Sequence, residues 1–397
     1  MMSQRIVAGI DIGKQSLYYC FLSSEGELIV QGNVDNTQDG FEKLFDLIQT
    51  HQAEVMFEAT GVYSRRWQYF LELNDYSYIR MNPLRAKKEM DTLRNTKNDK
   101  IDAKKLAILQ MQKKYDPTYV EDSVYRELRR RSRFYNEITQ ECANDKNRVQ
   151  KLLEETFCTL AQTMDASHLR FYEVAAVLPH VQIVKDSSEE ELLERLSVIS
   201  GYEATKVKLI KKLKAVSVHT AVAADVDSYA VTELMYWANR VLELTSLKEK
   251  VISEMMDESK DLEEVELLET IPGIAASTAV TLVAELGDIR RFKTPQKLNA
   301  FVGIDIRFGD SGQVKTSGCI TKRGNGFARK QLYQMFIHII GADRKHELEL
   351  TRWYYRRTEN MTRGKKKIIV GGMDRILRLM HHMVVNQETF DRAEAML

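Results

Sequence analysis

Three short apolar segments rich in β-branched and aromatic residues, Ile6–Ile10, Leu17–Leu22 and Leu28–Val34, surround the polar turn Ser23-Ser24-Glu25-Gly26 and predict successive hairpins. The pattern then becomes mixed. Phe41–Gln49 carries a helical stripe, Val55–Phe57 reads as a short buried strand, Trp67–Leu73 as a second helix, and Tyr76–Met81 as a strand stopped by Asn82-Pro83. A meander followed by alternating helices and strands predicts an α/β domain over residues 3–120.

Beyond Pro117 the chain loses almost every Gly and Pro until Pro272. Apolar residues recur at intervals of three and four through Glu127–Leu153, Glu191–Ser200 and Val231–Met256, with charges between them. This predicts a helical arm over residues 121–265, and periodicity alone fits an intramolecular bundle as well as a coiled coil between chains. A mainly helical third domain, residues 266–397, ends in an amphipathic helix over Ile368–Val385. The fold class is therefore α/β plus α.

Composition narrows the function classes. The chain has 397 residues, 44% of them apolar, enough for two or three domains with substantial cores. Its 58 basic and 57 acidic residues give a net charge of +1, so any nucleic-acid contact must come from local patches. There is no secretory h-region and no apolar run long enough to span a bilayer, which predicts a soluble, cytoplasmic protein with no membrane partner. Cys20, Cys142, Cys158 and Cys319 form no Cys-x-x-Cys pair, and the eight His residues have no zinc-ligand spacing.

The chemistry concentrates in four carboxylates. Asp11 and Glu58 stand where strand-like segments end, and Asp99 and Asp102, three apart at the start of a helical pattern, share one face. Each alone fits an ordinary role in a hairpin, a turn or a helix N-terminus. Together they form a hard-oxygen set suited to Mg²⁺, which commonly leaves coordination positions for water and a substrate phosphate. That chemistry points to phosphodiester bonds and a nucleic-acid strand as substrate.

Positive charge is local. Arg126–Arg133 and Lys206–Lys214 are basic, whereas Glu249–Glu269 is acidic, and basic runs of this kind serve as solvated helix faces as readily as nucleic-acid contacts. From Arg290 to Lys330 ten basic residues stand against Asp305 and Asp310, a local net of plus eight and the strongest nucleic-acid patch in the chain. Arg307, Lys315, Lys322 and Arg323 are its candidate phosphate contacts, joined by Arg363, Lys365, Lys366 and Lys367 ahead of the last helix. Upstream, Leu267–Ala279 with its Pro272-Gly273 turn is similar to a helix-hairpin-helix element, although Ala275 replaces the usual second glycine.

The words around these residues resemble a known family. Gly-Ile-Asp-Ile-Gly-Lys from Gly9, Glu-Ala-Thr-Gly-Val-Tyr from Glu58, Asn-Pro-Leu-Arg-Ala-Lys from Asn82 and the stretch Lys97–Leu106 are similar to the insertion-sequence-110 transposases and the related Piv DNA invertases. Asn98 stands where the family usually has Thr. The segments Phe301–Gln313 and Gly318–Asn325 extend the resemblance, which covers well over half the chain and is poorest across the helical middle. Asp165–Ser228 exceeds the compact family pattern.

The resemblance implies a ribonuclease H-like, Holliday-resolvase-type amino-terminal domain with a DEDD centre formed by Asp11, Glu58, Asp99 and Asp102, its first strand central in the sheet. It implies a coiled-coil dimerisation arm and a carboxy-terminal transposase domain whose catalytic serine maps to Ser311, with Asp310 where Gln is common and Ser317 as the rival. A serine that attacks phosphorus stores the broken bond as a phosphoserine ester, with the carboxylates supplying the environment that a weak nucleophile needs. The implied partners are donor and target DNA, a bridge RNA that pairs with both, and further copies of the chain in a dimer or tetramer. Site-specific inversion, or structure-selective cleavage that uses water and leaves Ser311 in a turn, are the alternatives.

Overall fold

The computed structural model describes residues 5–90, 98–307, 310–311, 314–315, 319–345 and 347–390, with backbone alone at 90, 306–307, 310–311, 314–315 and 319. The chain divides into two compact units, residues 1–120 and 121–397.

The first unit is built on five strands, β1 (Ile6–Ile12), β2 (Ser16–Ser23), β3 (Leu28–Asp35), β4 (Glu54–Glu58) and β5 (Tyr78–Met81), in the order β3-β2-β1-β4-β5. β1, β2 and β3 form an antiparallel meander, while β1, β4 and β5 run parallel. Parallel strands need crossovers, here α1 (Gln38–His51) and α2 (Ser64–Leu73). Side chains alternate across a strand, so Ala8, Ile10, Ile12, Val55 and Phe57 join the core with α1 and α2. The other face, with Val7 and Met56, is covered by α3 (Pro83–Met90) and α4 (Asp99–Lys113). The Asn82-Pro83 pair that stops β5 also opens α3, since Asn82 Oδ1 accepts from the Leu84 amide at 2.9 Å.

α4 crosses β1 without intervening side chains. A Cβ at Gly9 would overlap the Ala103 carbonyl oxygen and the Ala107 amide nitrogen, so glycine is required for this approach. At the end of the sheet where β1 and β4 begin, Arg5 grips Glu54 through two nitrogens at 2.6 and 2.7 Å. It also donates to the Met111 and Gln110 carbonyls at 3.2 and 3.3 Å, and Gln110 Nε2 reaches Glu54 at 2.8 Å. One guanidinium thus ties β4 to the last turn of α4, where a cation also suits the helix dipole.

The second unit is almost wholly helical. Its two longest helices, α5 (Ser123–Thr156) and α11 (Tyr229–Glu258), pack antiparallel within one chain. Val231, Leu234, Ala238, Val241 and Met255 of α11 keep a three-and-four spacing and bury against residues such as Leu128, Cys142, Val149 and Leu153 of α5. Charge fixes the register: buried Asp145 holds Arg240 at 2.9 Å and Arg148 at 2.6 Å. Five short helices lie between them: α6 (Leu160–Thr163), α7 (Leu169–Val177), α8 (Val181–Asp186), α9 (Glu189–Arg195) and α10 (Glu203–Ser217). The remainder comprises α12 (Glu263–Glu269), α13 (Ala276–Leu286), α14 (Pro295–Val302), α15 (Gly326–Ala342), α16 (Glu349–Thr358) and α17 (Lys365–Asn386). Buried apolar residues from Tyr125 to Phe390 form one continuous cluster, so the long helix pair and the carboxy-terminal helices share a core. Among the described residues no helix is long and apolar enough to cross a membrane.

Candidate active site

Asp11 and Glu58 lie one position beyond the last pair of the parallel β1–β4 register, Ile10 with Phe57. Adjacent strands stand about 4.8 Å apart. Alternation puts both side chains on the sheet face that α4 covers, because Val7 and Gly9, at even spacing from Asp11, meet Ala103 and Ala107 there. α4 starts at Asn98, whose side chain caps the Lys100 amide at 3.1 Å, and its first turn holds Asp99 and Asp102. The carboxy-terminal ends of β1 and β4 and the start of α4 thereby bring Glu58, Asp99 and Asp102 within reach of the Asp11 charge.

The consequence is visible at Asp11. Burial, followed by repulsion from Asp99, Asp102 and Glu58, pushes its carboxyl from an ordinary 3.8 up to about 6, opposed by the Ile12 backbone amide. Lys105 approaches Asp102 at 3.4 Å and offsets part of the negative charge. Among the described residues no three His, Cys, Asp or Glu side chains close into a ready-made ion cage. Charge interaction reaches further than ligand contact, so the Asp11 shift does not require the four carboxylates to touch. As donors, four carboxylates at two strand ends and one helix start fit a hard divalent cation.

Other supports had weaker sequence signals. Thr60 Oγ1 donates to the Ile12 carbonyl at 2.9 Å and ties the loop after Glu58 to the end of β1. Gly9, Ala103 and Ala107 set the depth at which α4 docks. Their signal was small residues, two of them one helical turn apart, and it becomes legible only once the partners are known.

The second group of candidates lies in the helical unit. Four two-residue strands, β6 (Ile306–Arg307), β7 (Asp310–Ser311), β8 (Val314–Lys315) and β9 (Cys319–Ile320), pair as β6 with β9 and β7 with β8. Ser311 is opposite Val314 in the antiparallel β7–β8 register. The side chains of Arg307, Ser311 and Lys315, and the whole of Ser317, lie outside the described residues. Lys322 and Arg323 are exposed, and Lys322 adopts a left-handed φ of 54°. Gly303 and Gly324 permit this loop, since a Cβ on Gly324 would overlap the Phe301 carbonyl. Asn325 anchors it to Glu285 at 2.8 Å while capping α15. Arg363 and Lys365–Lys367 are exposed, and the three lysines occupy the first turn of α17, the end of the dipole that disfavours cations. At the Pro272-Gly273 turn, Gly273 has φ 87° and packs against His338, Ile339 and Ala342 of α15, so its missing side chain serves internal packing.

Residues 8–158 match a family model for the DEDD transposase of IS110, and residues 265–350 match one described as the transposase of the IS116/IS110/IS902 family. The chain belongs to the IS110 family of transposases. It is 22% identical over 401 residues, covering 97% of this chain and 91% of the relative, to the transposase for insertion sequence element IS1111A of Coxiella burnetii (strain RSA 493 / Nine Mile phase I). The first match includes Asp11, Glu58, Asp99 and Asp102, and the second includes Arg307, Ser311, Lys315, Lys322 and Arg323. An IS110-family transposase cuts and rejoins DNA strands for an insertion element, and DNA is its expected partner.

Proposed function

We propose that Asp11, Glu58, Asp99 and Asp102 hold Mg²⁺ in a ribonuclease H-like domain, and that Ser311 is the nucleophile that conserves the phosphodiester bond during strand exchange. The observation that carries the metal reading is the upward shift of Asp11 by burial and three other carboxylates. The strand order β3-β2-β1-β4-β5, with Asp11 on the central strand, supports the fold assignment. Bound there, Mg²⁺ supplies positive charge that polarises a scissile phosphate.

The chain's own groups do the rest. The Ser311 oxygen forms a bond to phosphorus as the bond to one strand's oxygen breaks; the serine gives up a proton and the leaving oxygen gains one. A hydroxyl of the second strand then displaces the serine, reversing that proton balance and leaving a rejoined backbone. Arg307, Lys315, Lys322 and Arg323, with Arg363 and Lys365–Lys367, hold phosphates. The lysines at the start of α17 support this because they gain nothing from their own helix. Family membership is the support for a bridge RNA that pairs with donor and target DNA, and for a homotetramer assembled from dimers.

The test is a recombination assay in Mg²⁺ with recovery of denaturation-resistant protein–DNA adducts. Ser311→Ala should bind DNA yet give neither adduct nor recombinant, Ser317→Ala should give both, and Asp11→Ala or Glu58→Ala should bind without cleaving. Strand exchange by Ser311→Ala, or an adduct mapped to Ser317, reassigns the nucleophile. Undiminished recombination by Asp11→Ala removes the metal centre.

A further inference from the structure

The fold joins two basic runs that are nearly two hundred residues apart in sequence. Arg133 of α5 lies over the Phe327 ring of α15, 5.2 Å from its centroid, and Lys330 reaches Asn136 at 3.3 Å. Beneath them Glu285, fully buried, takes Arg133 at 3.3 Å and Asn325 at 2.8 Å. The carboxylate therefore pins the α5 run and the Lys322–Asn325 loop to one place. It also neutralises part of Arg133, so free charge resides in Arg130, Lys322, Arg323 and Lys330, exposed groups with no carboxylate partner among the described residues.

Two aromatic rings are interleaved with these cations. Phe327 is 41% exposed, and Phe134, one helical turn from Arg130 on α5, is 46% exposed. Exposed rings set among cations offer a ligand both a stacking surface and positive charge, the combination that unpaired bases on a phosphate backbone can use. Glu127 and Glu137 are the exposed acids nearest Arg130 and Phe134 on this helix, Glu127 pairs with Arg131 at 4.0 Å, and the balance remains positive.

We infer that this face of α5 and the start of α15 form a groove for single-stranded DNA, with Phe134 and Phe327 stacking on unpaired bases and the cations tracking the backbone. The inference rests on the strand-exchange reading above. Stacking favours a single strand because bases in a duplex are already stacked on each other, whereas phosphates are present in both. Charge complementarity argues against a protein surface of ordinary composition.

The experiment titrates the full chain against a labelled mixed-sequence oligonucleotide, as single-stranded DNA, as duplex DNA and as RNA of the same sequence. Phe134→Ala with Phe327→Ala should weaken single-stranded DNA binding about tenfold or more while changing duplex binding little. Phe134→Leu with Phe327→Leu, which keeps apolar bulk, should lose the same stacking and guards against misfolding. Arg130→Gln and Lys330→Gln should each flatten the salt dependence by about 0.7 in log–log slope. Equal losses on single strand and duplex, a loss confined to RNA, unchanged binding, or a change in oligomer mass with DNA affinity intact each overturn the inference. None depends on recombination, so failure here is separable from failure of Ser311 or the carboxylates in the adduct assay.

Discussion

At Asp11 two unfavourable effects act on the ionised carboxylate, partial burial and the repulsion of three acidic neighbours, and both vanish when it is neutral. Its folded value, about 6, exceeds the ordinary 3.8. The stability gained by holding the proton is therefore fully present below the lower value and is lost as pH rises through the upper one. Near neutrality the metal-free protein carries the whole penalty. Asp11→Asn should then raise the melting temperature at about pH 8, by an amount equivalent to roughly 1–2 kcal/mol after allowance for solvent screening, with the gap closing towards about pH 4. Mg²⁺ should raise the melting temperature of the parent protein more than that of the variant. A variant that melts no higher at alkaline pH contradicts the electrostatic account. Glu54 has the opposite sign: the hydrogen bond from Arg5 holds its carboxyl below the ordinary range, so its contribution is present at neutrality and fades in acid.

Among elements, α4 has the most consequence for the site, because one helix presents two of the four carboxylates at its first turn and accepts the Arg5 clasp at its last. Its docking depends on backbone approaching backbone at Gly9. Gly9→Ala should force α4 away from β1 at a cost of about 1–3 kcal/mol and, by displacing Asp99 and Asp102, raise the Mg²⁺ concentration needed for half-maximal cleavage. Gly341→Ala, where an added methyl meets nothing within 4 Å, is the control and should leave cleavage unchanged. Normal melting and cleavage by Gly9→Ala would show that the contact can relax. The strands and α1 were legible because apolar segments and their period report burial directly. The convergence of Asp11, Glu58, Asp99 and Asp102 was legible because acidic residues at the ends of apolar segments have few structural uses in combination. The Gly9 contact and the Arg5–Glu54–Gln110 clasp were not, since nothing local in those residues names a partner about fifty or a hundred positions away. The same applies to Glu285 and Asn325, and to α3, whose opening Asn-Pro pair reads equally as a strand end.

For the whole molecule, the division after Val120 and the single core beyond it set which pieces can stand alone. Residues 1–120 and 121–397, expressed separately, should each melt cooperatively, whereas a chain beginning at 266 should aggregate because α5 and α11 no longer cover α13. A cooperative transition in the 266–397 fragment, measured by calorimetry, contradicts a shared core. The spacing of α5 and α11 could be read in the sequence but not their choice of each other, because a three-and-four repeat specifies a seam and says nothing about which chain supplies the other side. Their antiparallel pairing has one more consequence. The end of α5 and the start of α11 come back to the same end of the pair, where the Ala223 amide reaches the Glu155 carbonyl at 2.8 Å. Residues 157–228 therefore leave and re-enter through neighbouring points, like a pendant on a closed ring. Neighbouring exit points keep the closure short, and α7 folds back so that Phe171, Tyr172 and Val174 enter the same core as the two rods, which makes the excursion a brace on the pair's open end.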